Sequence, residues 1–175
     1  FTSVQTHKRD FIAEYVAAVR EARLGVGIYY SPLSWRYPGY FDPTGQDCKP
    51  NKWGYHTDPA HHENARIMKE ENYVAVKQLM TKYGHIDHIY WDGGWLSLQG
   101  SDADAAYFHE PGLYLDQKNP WPIGREYQDI DPATGKAWGI MGMVRHYQPD
   151  AITNPRYGWM GDIGEEEGGD PVVGP

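Results

Sequence analysis

Residues 73–94 read YVAVKQLMTKYGHIDHIYWDGG, and two structural periods meet in this stretch. Tyr73, Val76, Leu79, Met80 and Tyr83 recur at the spacing of one apolar helix face. Gly84 is a natural stop for that helix. His88-Ile89-Tyr90-Trp91 then reads as a short strand running into the turn sequence Asp92-Gly93-Gly94. Upstream, Asp58-Pro59 suits the start of the same helix, with Asp as cap and Pro at the first helical position.

The same order recurs on either side. Phe11, Ile12, Tyr15, Val16 and Val19 predict an amphipathic helix over roughly Lys8–Arg23, with Gly25 as its stop. Val26-Gly27-Ile28-Tyr29-Tyr30 follows as a nearly continuous apolar strand, the kind that parallel sheets bury on both faces. Trp138, Met141, Val144 and Tyr147 mark a third helix, and Ala151-Ile152-Thr153-Asn154 a third strand. Alternation of this type predicts an α/β domain with parallel strands and crossover helices. Residues 31–60 are dense in turn signals, and about 95–136 is long and aperiodic. Loops of that length are uncommon unless they serve function.

Two architectures share this alternation: an open doubly wound sheet and a (β/α)8 barrel. No dinucleotide-type glycine loop follows any of the strands. Polar and aromatic residues gather there instead: Tyr30, Ser31 and Trp35, then Asp92, then Asn154 and Arg156. In a barrel these strand ends share the face that carries the active site. Three strands do not close a barrel, which takes about 250 residues. The expected fold is therefore α/β, the central part of a (β/α)8 TIM-type barrel, incomplete in this chain. Residues 1–175 are expected to form one partial barrel domain with a long insertion loop at about 93–136. Alone, such a piece is expected to expose apolar sheet edges and to show little or no activity.

Composition narrows the partners. The formal charge is −8 and the sequence pI about 5.4, which argues against nucleic acid or an anionic membrane. No apolar run approaches the roughly 20 residues that span a bilayer. Hydrophobic residues make up 40% of the chain, with 7 Trp and 14 Tyr among them, enough to offset the ordering entropy that keeps polar chains disordered. Cys48 is alone, which excludes an internal disulfide and a multi-Cys metal site. Oligomeric state is not legible, and cysteine usage fits a reducing compartment and a disulfide-free secreted protein equally well.

Several groups are candidates for chemistry. Asp92 ends a strand, is followed by two glycines and is flanked by Trp91 and Trp95, an aromatic setting that suits the apolar face of a sugar ring; it also reads as a simple turn residue. Glu165-Glu166-Glu167 reads either as a solvated acidic patch or as the second carboxylate source that glycoside hydrolysis needs. Arg156, just past the third strand, suits a substrate hydroxyl or a structural ion pair. Of Tyr29 and Tyr30, alternation sends one inward and one outward. His61-His62-Glu63 and His85-Ile86-Asp87-His88 lack a recognised metal-ligand spacing on a predicted helix, so no metal site is assigned. No G-x-S-x-G elbow is present, which disfavours acyl-transfer hydrolysis.

Taken together, four ordered segments resemble the α-L-fucosidases of glycoside hydrolase family 29. Arg9-Asp10 with the following helix and Leu24-Gly25-Val26-Gly27-Ile28-Tyr29-Tyr30-Ser31-Pro32 is similar to the family's "RD…GLkfGlYYS". Gln78-Leu79 through Tyr83-Gly84 to Tyr90-Trp91-Asp92-Gly93 resembles "QLxELxxxY…WxDG". Gln148-Pro149-Asp150 leading to Asn154-Pro155-Arg156-Tyr157-Gly158 resembles "qPd…NdRwG", and Gly161-Asp162-Ile163-Gly164-Glu165-Glu166-Glu167 resembles "GDfxTpE". The resemblance implies a retaining exo-glycosidase that releases α-linked L-fucose from a fucosylated oligosaccharide or glycoconjugate. It implies Asp92 as nucleophile, Glu167 as acid/base, and Tyr30, Trp35, Tyr90 and Arg156 as substrate-binding residues. It implies no metal or organic cofactor, and a secreted, periplasmic or lysosomal-type compartment. The chain departs from the pattern where Glu165-Glu166 replace the usual Thr-Pro, so either stands as an alternative acid, and where Pro155 replaces Asp. The family's "KHHDGF"-like histidine segment does not occur in these residues. A catalytically silent carbohydrate-binding relative, or another glycoside hydrolase on the same barrel, is the alternative reading.

Overall fold

In the computed structural model, residues 3–31, 59–92, 113–115, 123–154 and 161–163 are described. In chain order they give α1 (Ser3–His7), α2 (Phe11–Glu21), β1 (Gly27–Tyr30), α3 (Pro59–Lys82), β2 (His88–Trp91), α4 (Ile140–Tyr147) and β3 (Ile152–Thr153). The strands form one parallel sheet in the order β1-β2-β3. The helix–strand alternation predicts this α/β arrangement, and the three strands are all parallel as expected.

The helix expected over Lys8–Arg23 is α2, Phe11–Glu21, and a short unexpected helix, α1, precedes it. Lys8 sits at φ 58°, a left-handed conformation that ends α1. Asp10 then caps α2: its carboxylate accepts the Ala13 N–H at 3.1 Å. The expected stop at Gly25 comes two residues earlier. Arg23 takes the left-handed position at φ 59°, its N–H bonds Arg20 O at 2.9 Å, and the Leu24 N–H bonds Val19 O at 3.1 Å. This is a Schellman closure built on arginine in place of glycine, and the two backbone bonds offset the roughly 1–2 kcal/mol cost of a left-handed L-residue.

α3 starts at Pro59, as the Asp58-Pro59 signal predicts, and Gly84 at φ +75° follows its end. The Arg20 guanidinium donates to Tyr83 O at 2.8 Å and His85 O at 2.7 Å, fastening α2 to the turn between α3 and β2. Buried Gln148, directly after α4, holds the other side of that turn. Its amide donates to Met80 O at 2.6 Å and Gly84 O at 2.9 Å, and its carbonyl oxygen accepts the Ile86 N–H at 3.0 Å. One side chain thus pairs with three backbone groups around this turn.

The sheet has one covered and one open face. Ile28, Ile89, Trp91 and Thr153 are buried, the first three in a cluster with Tyr73, Val76 and Met80 of α3 and Met143 and Val144 of α4. On the other face Tyr29 is 62% and Ile152 43% exposed. Apolar surface also stands open at the β1 edge, where Phe11, Ile12 and Tyr15 of α2 line a groove of about 600 Å³ with Tyr29 and Tyr83.

Part of the stretch expected to be aperiodic loop is bridged. Tyr114 pairs with Trp138 and Ile130 with Ala137, both antiparallel. Buried Asp131 organises the turn between them, accepting from Ala133 N–H at 2.9 Å, Thr134 Oγ1 at 2.8 Å and the Tyr114 hydroxyl at 2.8 Å. Single-residue bridges leave no periodicity for a sequence to display. Segment 113–115 lies against α4 at Gly142, where an added Cβ would stand 1.9 Å from Leu113 O and 2.6 Å from Trp138 Cε3.

Two stability measurements follow from these contacts. In Gly142→Ala the new methyl meets a backbone oxygen that cannot rotate away, an overpacking loss of about 1–3 kcal/mol or more. That exceeds the gain of up to about 1 kcal/mol for alanine over glycine in a helix, so urea unfolding is expected to show net destabilisation. Unchanged or increased stability would contradict the close approach. The second concerns Asp10, whose carboxyl is held below its ordinary value of 3.8 by the Lys82 ammonium at 2.6 Å and by the Ala13 N–H. A lowered folded-state pKa stabilises above the unfolded pKa, and that contribution is lost as pH falls through the folded one. Asp10→Asn keeps the cap oxygen and removes the charge. The gap in melting temperature between wild type and variant should be full at neutral pH and shrink below about pH 4; a gap independent of pH would refute the charge's role.

Candidate functional site

The site is built from the carboxyl ends of β1 and β2. Their register sets Tyr29 opposite Tyr90 and Tyr30 opposite Trp91, and alternation puts the two pairs on opposite faces. The ladder continues one step further, because the Asp92 N–H donates to Tyr30 O at 3.0 Å. Asp92 therefore falls on the face of Tyr29 and Tyr90, which is the open one.

On that face the Tyr29 hydroxyl donates a hydrogen bond to Asp92 Oδ2. The Tyr29 and Tyr90 rings stack with centroids 5.8 Å apart and planes 13° from parallel. Asp92 itself is half-buried. Two residues back along β2, His88 meets Tyr90 edge-on at 6.0 Å, and its Nε2 is buried with no hydrogen-bond partner among the described residues. The arrangement is a carboxylate at a strand end, oriented by a phenol and flanked by a stacked aromatic pair. Such a group can act as a nucleophile or a base toward a ligand lying over the aromatic wall.

Tyr30, expected to line the site, points the other way. Its hydroxyl donates to Asn72 Oδ1 of α3 at 2.8 Å, and its ring meets Trp91 edge-on at 6.0 Å. Burial, and then the Glu71 charge, push its phenol well above the usual range. Tyr29 takes the position beside Asp92 in its place. Tyr90 shares the face of Tyr29 and Asp92. Trp35, Arg156 and Glu167 fall outside the described residues, as do Glu165 and Glu166.

Asn154 has a structural task the sequence did not reveal. Its side-chain oxygen accepts the Trp91 N–H at 2.7 Å, and its side-chain nitrogen donates to Trp91 O at 2.9 Å. Asn154 is fully buried. One amide thus secures both polar groups of the residue that precedes Asp92, doing what one more rung of the β2–β3 ladder would do. The only sequence signal is an amide residue at a strand end.

Among the described residues there is no group of three or more His, Cys, Asp or Glu able to hold a metal ion. His85 Nε2 lies 3.3 Å from Asp87 Oδ1, and Asp87 Oδ2 accepts the Val26 N–H at 2.7 Å, so this pair is tied to the opposite end of the strands from Asp92. No described helix is long and apolar enough to cross a membrane.

Among curated proteins none matches this chain. Among solved structures, α-L-fucosidase AlfC, a substituted form in complex with Fucα(1,6)GlcNAc, superposes with a TM-score of 0.51 at 21% identity, over 94% of this chain and 43% of that one. The α-L-fucosidase isoenzyme 1 from Paenibacillus thiaminolyticus gives a TM-score of 0.43 at 23% identity, over 85% of this chain and 27% of that one. The chain thus spans less than half the length of either. The family model described as Alpha-L-fucosidase matches residues 1–157, nearly all of the sequence, and the chain belongs to the α-L-fucosidase family.

Proposed function

We propose that this chain is the part of an α-L-fucosidase that carries its catalytic carboxylates, and that the protein releases α-linked L-fucose from fucosylated glycans. The single observation that carries the reading is Asp92. It is half-buried at the end of β2 on the open face, bonded by the Tyr29 phenol and bordered by the Tyr29–Tyr90 stack. Family membership supplies the substrate class. The three parallel strands are read as consecutive members of a (β/α)8 barrel, with residues 1–175 as a partial catalytic domain. The insertion at about 93–136 shapes the leaving-group side.

In this reading Asp92 attacks the anomeric carbon of fucose as the leaving oxygen departs, forming a fucosyl-enzyme ester. Glu167 protonates the leaving oxygen, then deprotonates the water that opens the ester, and fucose leaves with retained configuration. Glu165 and Glu166 are like charges beside it in sequence and favour its protonated form before attack. Arg156 and Trp35 bind the sugar. Tyr90 and Tyr29 offer it an aromatic wall, and Tyr29 replaces Tyr30 in that role. The Tyr29 bond orients the attacking carboxylate. It is strongest when Asp92 is charged, so it also favours departure of the carboxylate in the second step. No metal or organic cofactor enters any step.

Kinetics of the full-length protein on an aryl α-L-fucoside test this. Asp92→Asn should lower kcat on the order of 10³-fold or more while leaving the melting temperature near wild type. Turnover close to wild type would overturn the assignment. Tyr29→Phe removes a hydrogen bond to a charged group, about 1.5–3 kcal/mol, and should lower kcat/KM roughly 10–150-fold. A matching loss in Tyr30→Phe with none in Tyr29→Phe would reverse the roles given to the two tyrosines.

A further inference from the structure

The peptide unit between Trp91 and Asp92 is held from both sides. Its N–H donates to Tyr30 O of β1 at 3.0 Å. Its carbonyl oxygen accepts from Asn154 Nδ2, just past the end of β3, at 2.9 Å. A peptide unit is planar, so bonds at its two opposite edges fix the plane and locate the Asp92 Cα. The Tyr29 hydroxyl bond then acts on a carboxylate whose root is already placed.

The β3 half of this clamp departs from an ordinary ladder. The register pairs His88 with Ile152 and Ile89 with Thr153, so Asn154 falls opposite Tyr90. In a parallel ladder the residue at that position takes the Trp91 N–H on its main-chain carbonyl. Here the Asn154 side-chain oxygen takes it, at 2.7 Å. The substitution adds something a main-chain carbonyl lacks: the same amide also carries a donor, and that donor reaches the peptide unit attached to Asp92. A serine hydroxyl has one hydrogen to give, and an ionised aspartate has none.

The arm itself stands on a braced strand. The Thr153 N–H donates to Asp162 Oδ2 at 2.8 Å, and the Arg145 guanidinium of α4 donates to the same oxygen at 2.7 Å and to Ala151 O at 2.8 Å. Thr153 and Asn154 are both fully buried. We propose that Asn154 is a positioning residue for the first chemical step, its amide donor holding the Trp91–Asp92 peptide so that the Asp92 carboxylate stands at attacking distance from the anomeric carbon. This rests on the reading of Asp92 as the nucleophile.

The test uses the full-length protein and a 2-deoxy-2-fluoro-L-fucosyl fluoride. An Asp92 oxygen bonds the anomeric carbon as the carbon–fluorine bond breaks and fluoride leaves, and the ring fluorine slows hydrolysis of the ester, so label accumulates. Labelled chain is counted by mass, its position is mapped, and the inactivation rate constant and Ki are measured separately. Asn154→Ala should label on Asp92 to the same stoichiometry as wild type, with a rate constant about 10–100-fold lower, the scale of a misplaced reacting group, and a Ki within about threefold. A purely structural role gives fewer labelled chains that react at the wild-type rate, and that result overturns the proposal, as does an unchanged rate at full labelling. If Asn154→Ala does not fold, Asn154→Asp keeps the shape and the acceptor for the Trp91 N–H, and at alkaline pH its ionised form offers Trp91 O no donor. It should also react more slowly at unchanged Ki, and a wild-type rate there overturns the proposal. Wild type labelled on Asp92 beside variants of unchanged rate sinks the positioning role alone. Wild type that is not labelled on Asp92 sinks the site reading and the positioning role with it.

Discussion

The two hydrogen bonds between the Asn154 side chain and the Trp91 peptide are the contacts on which the site depends. β3 is only two residues long, and its pairing with β2 covers His88 and Ile89. Without Asn154 the buried N–H and C=O of Trp91 would face the end of a sheet that has run out of strand, and each would carry the cost of an unmade bond. With it, β2 keeps its ladder geometry to the last residue, and Asp92 emerges from a fixed frame. The Asp92 N–H to Tyr30 O bond secures the same turn from the β1 side. Preorganisation of the carboxylate therefore comes from main-chain geometry, and the phenol adds orientation to a group whose backbone is already placed.

Much of the architecture is legible in the residues because it rests on period. The 3.6-residue pattern at Tyr73–Tyr83 and the apolar runs at Gly27–Tyr30 and His88–Trp91 each correspond to an element, and their order dictates parallel strands. What the residues do not show rests on conformation at single positions. Lys8 and Arg23 are left-handed, and neither is a residue type that announces it. The Tyr114–Trp138 and Ile130–Ala137 bridges are too short to carry a period. Within the site, Asp92 and Tyr90 stand out in the sequence because one ends a strand and the other lies two residues before it on the same face. The choice between Tyr29 and Tyr30 needs the register of β1 against β2, and adjacent identical residues carry no information about register.

The open face and the covered face divide the labour of the sheet. Trp91 and Tyr30 give their bulk to the helices, and Tyr30 adds a bond to Asn72. Tyr29, Tyr90 and Asp92 are left to face outward from the same two strands. A pair of neighbouring aromatic residues on each strand serves both sides at once, which accounts for part of the aromatic richness of the chain. One residue of each pair supplies core volume, and the other supplies a flat surface of the sort that binds sugar rings through their C–H faces.

The Gln148 amide has a dynamic consequence. It bonds the end of α3 at Met80, the turn at Gly84 and the approach to β2 at Ile86, and it sits where α4 stops. No one of these segments can open without stripping a buried polar group in the others. The four therefore unfold as a single cooperative unit, and slow amide exchange at Ile86 would report on the integrity of a helix sixty residues away in sequence as faithfully as on its own strand.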